Sequence, residues 1–289
     1  MKKYIVSITL LLCLFFVSSC HSITEKNTTK SSTNQSSSPL ETNSKDSTPT
    51  LFIHGYSGTI NSFGGMIDRF EKQQLARKEL VITVQPDSTL QIDGKLSNAR
   101  NNPMIQVLFA DNKNNEWNQS EWIYAVLRYL KTQNVEQVNI LGHSMGGVSS
   151  LRFLTTYGEP EDSPKIVKLV AIGSPFNDFI DTSDQQTIDE LLVNGPTQKS
   201  DRYIDYENGI ANVPASLPML LLAGELGAGT SDDGTVPLTS ALSVYSLVEK
   251  NGNPIRQSVF VGPNAQHSQL HENTAVDQQV AQFLWEEKP

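Results

Sequence analysis

A serine stands at the centre of Gly142-His143-Ser144-Met145-Gly146-Gly147, with a glycine two residues away on either side. Residues 138–141 before it are apolar and strand-like, and Val148, Leu151, Phe153 and Leu154 after it fall at helical spacing. Strand, sharp turn and helix together make a nucleophile elbow, which lifts a serine hydroxyl clear of a sheet edge. Glycines at 142 and 146 let strand and helix approach where a Cβ would collide, while the apex serine carries the strain. The bland reading is a small-residue turn after an ordinary strand; the strand and helix patterns on its two sides favour the elbow.

A serine hydroxyl is a weak nucleophile. It needs a neutral imidazole to take its proton and a carboxylate to hold that imidazole in the right tautomer. There are five histidines, and His21 lies in a low-complexity segment, which leaves His54, His143, His267 and His271. His267 follows Val259-Phe260-Val261 and the turn Gly262-Pro263-Asn264, last in the chain order serine, acid, histidine expected with such an elbow. His271 is its rival, with a polar contact near a helix start as the alternative role. For the acid, Asp233 opens the D-x-x-V-P pattern after the strand-like residues 219–222. The adjacent Asp232 is the alternative, and either could be a plain turn carboxylate.

An acyl-transfer intermediate also needs two backbone N–H donors aimed at its oxyanion. Met145, directly after the serine, supplies one candidate. Tyr56, in Phe52-Ile53-His54-Gly55-Tyr56-Ser57-Gly58 after an early strand, supplies the other.

These groups need a frame. From residue 50 onward, strand-like segments (51–53, 81–84, 89–92, 105–109, 138–141, 166–172, 219–222 and 258–261) alternate with helical ones (62–77, 116–132, 148–157, 238–248 and 274–285). Such alternation predicts an α/β fold, a mostly parallel central sheet flanked by helices. Residues 85–98 suggest a hairpin. Trp122 and Trp285 read as core rather than site. Residues 183–213 fit the sheet pattern poorly, with a short helix expected at 188–193 and Tyr203 and Tyr206 in a loop. An insertion over 176–215 is expected to cap the site, a solvated excursion being the alternative. Phe176, Phe179 and Ile180 could serve an apolar face there or be buried.

The start of the chain speaks to location. Lys2 and Lys3 precede an apolar stretch, residues 4–17, then Val17-Ser18-Ser19-Cys20. A short basic region, a short apolar region and small residues make a secretory signal, too short to span a bilayer comfortably. Cleavage before Cys20 resembles the bacterial lipobox, implying a signal peptide over 1–19 and a lipid anchor on Cys20, an uncleaved anchor helix being the alternative. Residues 20–48, mostly Ser, Thr and Asn, read as a disordered tether, with the hydrolytic machinery confined to 49–289. Of the two cysteines Cys13 would leave with the signal, so no disulfide framework is expected. The formal charge of −9 argues against nucleic acid as a partner. No Cys/His metal spacing or cofactor motif is present, and Asp111-Asn112-Lys113-Asn114-Asn115-Glu116 lacks the glycine of a calcium hand.

The motifs HGYSG (54–58), NNPMIQVLFADN (101–112), GHSMGG (142–147), DGTVP (233–237) and HSQLHEN (267–273) together carry a resemblance. The body resembles an α/β-hydrolase of the lipase/esterase type. More narrowly, it is similar to exported α/β-hydrolases of Gram-positive bacteria often described as cell-surface hydrolases. That resemblance implies Ser144, Asp233 and His267 as a triad and Tyr56 and Met145 as oxyanion donors. Hydrolysis of a small-molecule or lipid carboxylic ester at the cell membrane, on its extracytoplasmic face, is the expected activity. Thioester hydrolysis, acyl transfer and peptide cleavage use the same groups, and a surface lipoprotein could use the fold only for binding.

Overall fold

A computed structural model of the chain describes residues 45–227 and 230–286. The expected signal peptide, Cys20 and most of the expected tether lie outside the described residues.

Thr50–Ile53 (β1) is buried along its whole length. A turn of 3-10 helix (Ile60–Ser62) leads into α1 (Gly64–Lys72). The helix expected to run on to residue 77 stops short, because Gln74 adopts a left-handed φ of 56° and Arg77 already pairs in the sheet. Next come β2 (Arg77–Val84), β3 (Leu90–Gly94), β4 (Pro103–Phe109), α2 (Glu116–Thr132), β5 (Gln137–His143) and α3 (Met145–Tyr157). Then follow β6 (Lys165–Ile172), the short β7 (Phe176–Phe179), α4 (Ile188–Asn194) and α5 (Asp201–Gly209). The chain continues through β8 (Met219–Glu225), α6 (Leu238–Ala241), α7 (Tyr245–Lys250), β9 (Ile255–Val261) and α8 (Thr274–Ala281), which widens into a π turn (Gln282–Glu286). The single helix expected over 238–248 is therefore two short ones.

Eight strands form one sheet in the order β3-β2-β4-β1-β5-β6-β8-β9. Every neighbouring pair is parallel except β2–β3, the expected hairpin. The α/β architecture expected from the alternation is thus borne out. β1 shows how both faces are covered: Leu51 and Ile53 join one apolar cluster with α2 and α3, while Phe52 joins the other with α1 and α8. A strand buried on both faces reads as a continuous apolar run rather than an alternating one. Trp122 lies in the first cluster; Trp285 packs edge-on against Phe70 at the second.

The described body starts earlier than residue 49. Asp46 and Asn102 pair, with Asp46 N–H on Asn102 Oδ1 and Asn102 N–H on the Asp46 carbonyl, and Asp46 Oδ1 also accepts from Thr48 N–H. Short polar side chains that look like linker in sequence are here used as turn acceptors.

Residues 176–215 hold β7, α4, α5 and a 3-10 turn, so Tyr203 and Tyr206 lie in a helix rather than a loop. Both are buried, and the Tyr206 hydroxyl donates to the Val148 carbonyl of α3. Arg202 on α5 bonds Glu116 at the start of α2, and the buried Arg152 on α3 bonds both Glu116 and Asp205 of α5. Phe176 is core, whereas Phe179 is exposed.

Candidate active site

Ser144 sits between β5 and α3 with φ 53° and ψ −123°. This is a sparsely populated backbone conformation, tolerated where surrounding packing over-determines it. The packing here is severe: a Cβ on Gly142 would lie 2.4 Å from the Gly147 nitrogen, and one on Gly146 2.1 Å from the Ile53 carbonyl oxygen. Ser144 N–H donates to the Ile172 carbonyl, tying the turn to β6. Its side chain makes no capping bond to α3, so the hydroxyl is available elsewhere.

It is used by His267, whose Nε2 lies 3.0 Å from Ser144 Oγ. On the other side of the ring, Nδ1 lies 2.7 Å from Asp233 Oδ2. The carboxylate is 1% exposed, and its second oxygen accepts from the Thr235 and Val236 N–H groups at 3.0 and 2.7 Å. A buried charge must be fully hydrogen-bonded to persist, and three N–H groups achieve that here. The Asp233 carbonyl also accepts from His267 N–H, so acid and histidine are joined through both backbone and side chain.

The rival residues are placed apart. Asp232 Oδ1 accepts from Gly234 N–H, the turn role that sequence left open. His271 sits beside Glu272, its ring edge-on to His143, and makes no hydrogen bond to Ser144 among the described residues. His143 is buried, and its Nε2 lies 3.0 Å from the His267 carbonyl oxygen, to which it must donate. Burial, with His267 and His271 as neighbours, holds the His143 imidazole well below its ordinary pKa, so it stays neutral.

Sequence reasoning passed over Arg69. From α1 its guanidinium donates to the His271 carbonyl, to Glu272 and to Asp277 of α8, tying down the segment that carries His267. Nothing in the local pattern marks it, since its partners are more than 200 positions away.

Met145 follows the serine directly, and Tyr56 follows Gly55, whose backbone abuts the serine side chain. Met145 is the first residue of α3, where a backbone N–H has no intrahelical acceptor. Tyr56 N–H donates to no other described residue. The edge from which Ser144 opens, at the carboxyl ends of the parallel strands, also carries the exposed side chains of Tyr56 (57%), Trp117 (49%) and Phe179 (63%). A separate cavity of about 550 Å³, lined by Thr48, Asn139, Lys165, Pro218 and Trp285, lies at the opposite edge and is remote from the serine. Among the described residues, no group of three or more His, Cys, Asp or Glu side chains could hold a metal ion, and Asp111 instead accepts from Asn114 within its own loop.

The family model described as "Alpha/beta hydrolase of unknown function (DUF915)" matches residues 37–287. No curated protein matches the chain. Among solved structures, the lin2722 gene product of Listeria innocua is 28% identical with a TM-score of 0.78, over 84% of this chain and 96% of that one. A protein of Lactobacillus plantarum WCFS1, described as a candidate cell surface hydrolase, is 24% identical with a TM-score of 0.65, over 84% of this chain and 93% of that one.

Proposed function

Because the chain belongs to the alpha/beta hydrolases of the DUF915 family, we propose that it is a serine hydrolase that cleaves carboxylic esters through an acyl-enzyme on Ser144. The observation that carries this reading is the hydrogen-bonded line Ser144–His267–Asp233. Ser144 Oγ attacks the ester carbonyl while His267 Nε2 takes its proton. Asp233 keeps Nδ1 protonated, so that Nε2 is the free base, and stabilises the imidazolium that forms. Negative charge then gathers on the former carbonyl oxygen, facing the Tyr56 and Met145 N–H groups. As the tetrahedral intermediate collapses, His267 returns the proton to the leaving alkoxide. Water repeats the sequence to release the acid.

The exposed Tyr56, Trp117 and Phe179 on the same edge favour an ester with an apolar acyl or aryl part. The test is labelling of the purified protein with a fluorophosphonate, beside Ser144→Ala. Labelling lost only in the variant supports an activated serine, and an acyl-length series with ester and thioester leaving groups then separates the chemistries. A well-folded protein that resists labelling would point instead to a binding protein. Asp233→Asn should still label but slowly, with kcat down by about 10⁴ from the wrong imidazole tautomer.

The same proposal places the enzyme outside the membrane, held by a lipid on Cys20 after removal of residues 1–19. The lipobox-like run before Cys20 supports this. Metabolic labelling with a tagged fatty acid should mark the wild-type protein and not Cys20→Ser; a membrane-bound wild-type protein that takes up no label would favour an uncleaved anchor.

A further inference from the structure

His54 is one of the four histidines that could have been the base, yet it bonds none of the triad side chains. Its surroundings assign it different work. The ring is buried and both nitrogens are engaged: Nε2 lies 3.1 Å from the Phe109 backbone nitrogen, and Nδ1 lies 2.8 Å from the Gly55 carbonyl oxygen. Phe109 N–H can only donate, so Nε2 must be the unprotonated nitrogen. The proton is therefore on Nδ1 and points at the Gly55 carbonyl. One neutral tautomer satisfies both partners, and burial, which lowers the pKa of this imidazole, favours that neutral form.

The consequence lies one bond further on. The Gly55–Tyr56 peptide is trans, so its carbonyl oxygen and its N–H point in opposite directions. Holding the Gly55 carbonyl, which also accepts from Gly58 N–H at 3.0 Å, therefore aims the Tyr56 N–H the other way. The Gly55 backbone abuts the serine: a Cβ there would lie 2.8 Å from Ser144 Cβ. Were this peptide to rotate, a carbonyl oxygen would replace the N–H as the group facing the developing oxyanion, and stabilisation would become repulsion.

A second grip comes from the segment after β4. Ser57 N–H donates to the Asn112 carbonyl at 2.7 Å, and Asn112 Nδ2 donates to the Gly58 carbonyl at 2.8 Å. Ser57 is held with a left-handed φ of 58°. The HGYSG and FADN motifs, which sequence shows only as two separate runs, are thus one clamp made of His54, Phe109 and Asn112.

We infer that His54, seconded by Asn112, is a positioning residue that locks the Gly55–Tyr56 peptide in the orientation required of an oxyanion donor. The inference rests on the proposed serine-hydrolase reading.

Two substitutions divide the two bonds of the ring. Asn has a donor at the δ position, so His54→Asn can keep the bond to Gly55 while losing that from Phe109. Gln has an acceptor at the ε position, so His54→Gln can keep Phe109 while losing Gly55. Each loses one buried hydrogen bond, so a purely structural role would affect both alike. The expected result with a short-chain aryl ester is kcat within about 3-fold of wild type for His54→Asn. For His54→Gln and His54→Ala, kcat should fall about 10²-fold or more, the usual consequence of losing one oxyanion donor, with KM changed little. Fluorophosphonate labelling should slow in His54→Gln yet reach the same end point, since Ser144 and His267 are untouched.

Equal kcat losses in the Asn and Gln variants, or wild-type kcat in a folded His54→Gln, would overturn the inference. Should the His54 variants not fold, Asn112→Ala carries the test: kcat down about 10-fold supports the clamp, and unchanged kcat refutes it. Wild-type protein that neither labels nor turns over ester would instead remove the hydrolase reading, and the inference with it.

Discussion

His143 Nε2 donates to the backbone carbonyl of His267 at 3.0 Å, so the variable residue of the elbow holds the histidine facing the elbow's own serine. The two rings lie 4.7 Å apart between centroids. His143→Phe would fill much of the space but leave the His267 carbonyl without its donor, whereas His143→Gln can present an amide N–H near the same place. We expect kcat lowered about 10-fold in the Phe variant and nearer wild type in the Gln variant, because small displacements of a base are costly. Steady-state ester kinetics check this, and equal kcat in wild type and the Phe variant would remove the role.

The same burial sets a pH dependence of stability. His54, His143 and His271 are each held below the ordinary histidine value, first of all by burial, which the Gly55 bond partly offsets for His54 and Glu272 for His271. Below about pH 6.5 their unfolded-state imidazoles take up protons that the folded protein excludes. The unfolded state then binds more protons, so stability present above that pH is lost as pH falls toward the folded-state values. Each such group contributes a slope of up to about 1.4 kcal/mol per pH unit. Urea unfolding between pH 7 and 5 should show the loss, and His143→Phe should flatten the curve by up to one proton's worth. A wild-type stability flat across that range would contradict it.

Gly146 tests the elbow as a steric device. A Cβ there would lie 2.1 Å from the Ile53 carbonyl oxygen, a backbone atom that cannot rotate away. Gly146→Ala must push α3 off β1, at a cost at or above the upper end of the usual overpacking range of about 1–3 kcal/mol. A thermal melt should show a fall of several degrees or outright failure to fold; an unchanged Tm would mean that the turn can relax.

The ion pairs between α5 and the body offer a sharper test than their number suggests. Arg202 and Glu116 are both about nine-tenths buried at their side chains, and Arg202 also donates to the Pro175 carbonyl. Removing one partner from a buried pair costs about 3–5 kcal/mol, mainly by stranding the other charge. Arg202→Met should be destabilising on that scale, and Glu116→Gln/Arg202→Met should recover more than half of the loss. Near-equal stability of the single variant and wild type in urea would show that Arg152 alone satisfies Glu116.

Much of the architecture was legible because it depends on periods and steric rules within a few residues. The apolar run of β1, the stripe of α2 and the glycines around Ser144 each act on near neighbours, so the chain order exposes them. Misjudged ends have local causes overruled from afar. Helical spacing carried the expected α1 toward Arg77, but β4 captures that residue as sheet. The run expected as one helix over 238–248 breaks after Ala241 and resumes at Tyr245.

The sequence by itself determined the α/β frame, the elbow and a short list of side chains able to serve it. The D-x-x-V-P pattern favoured Asp233 over Asp232 and the chain order favoured His267 over His271, but neighbours in the chain share a composition and differ in which way the backbone aims them, so neither preference fixed a contact. Folding supplies the contact itself: the loops after β8 and β9 bring Asp233 and His267 to Ser144, across 123 positions between serine and histidine. The same holds for His54. A histidine's type says that it can accept or donate a proton, whereas its role follows from the two groups that folding sets against its ring.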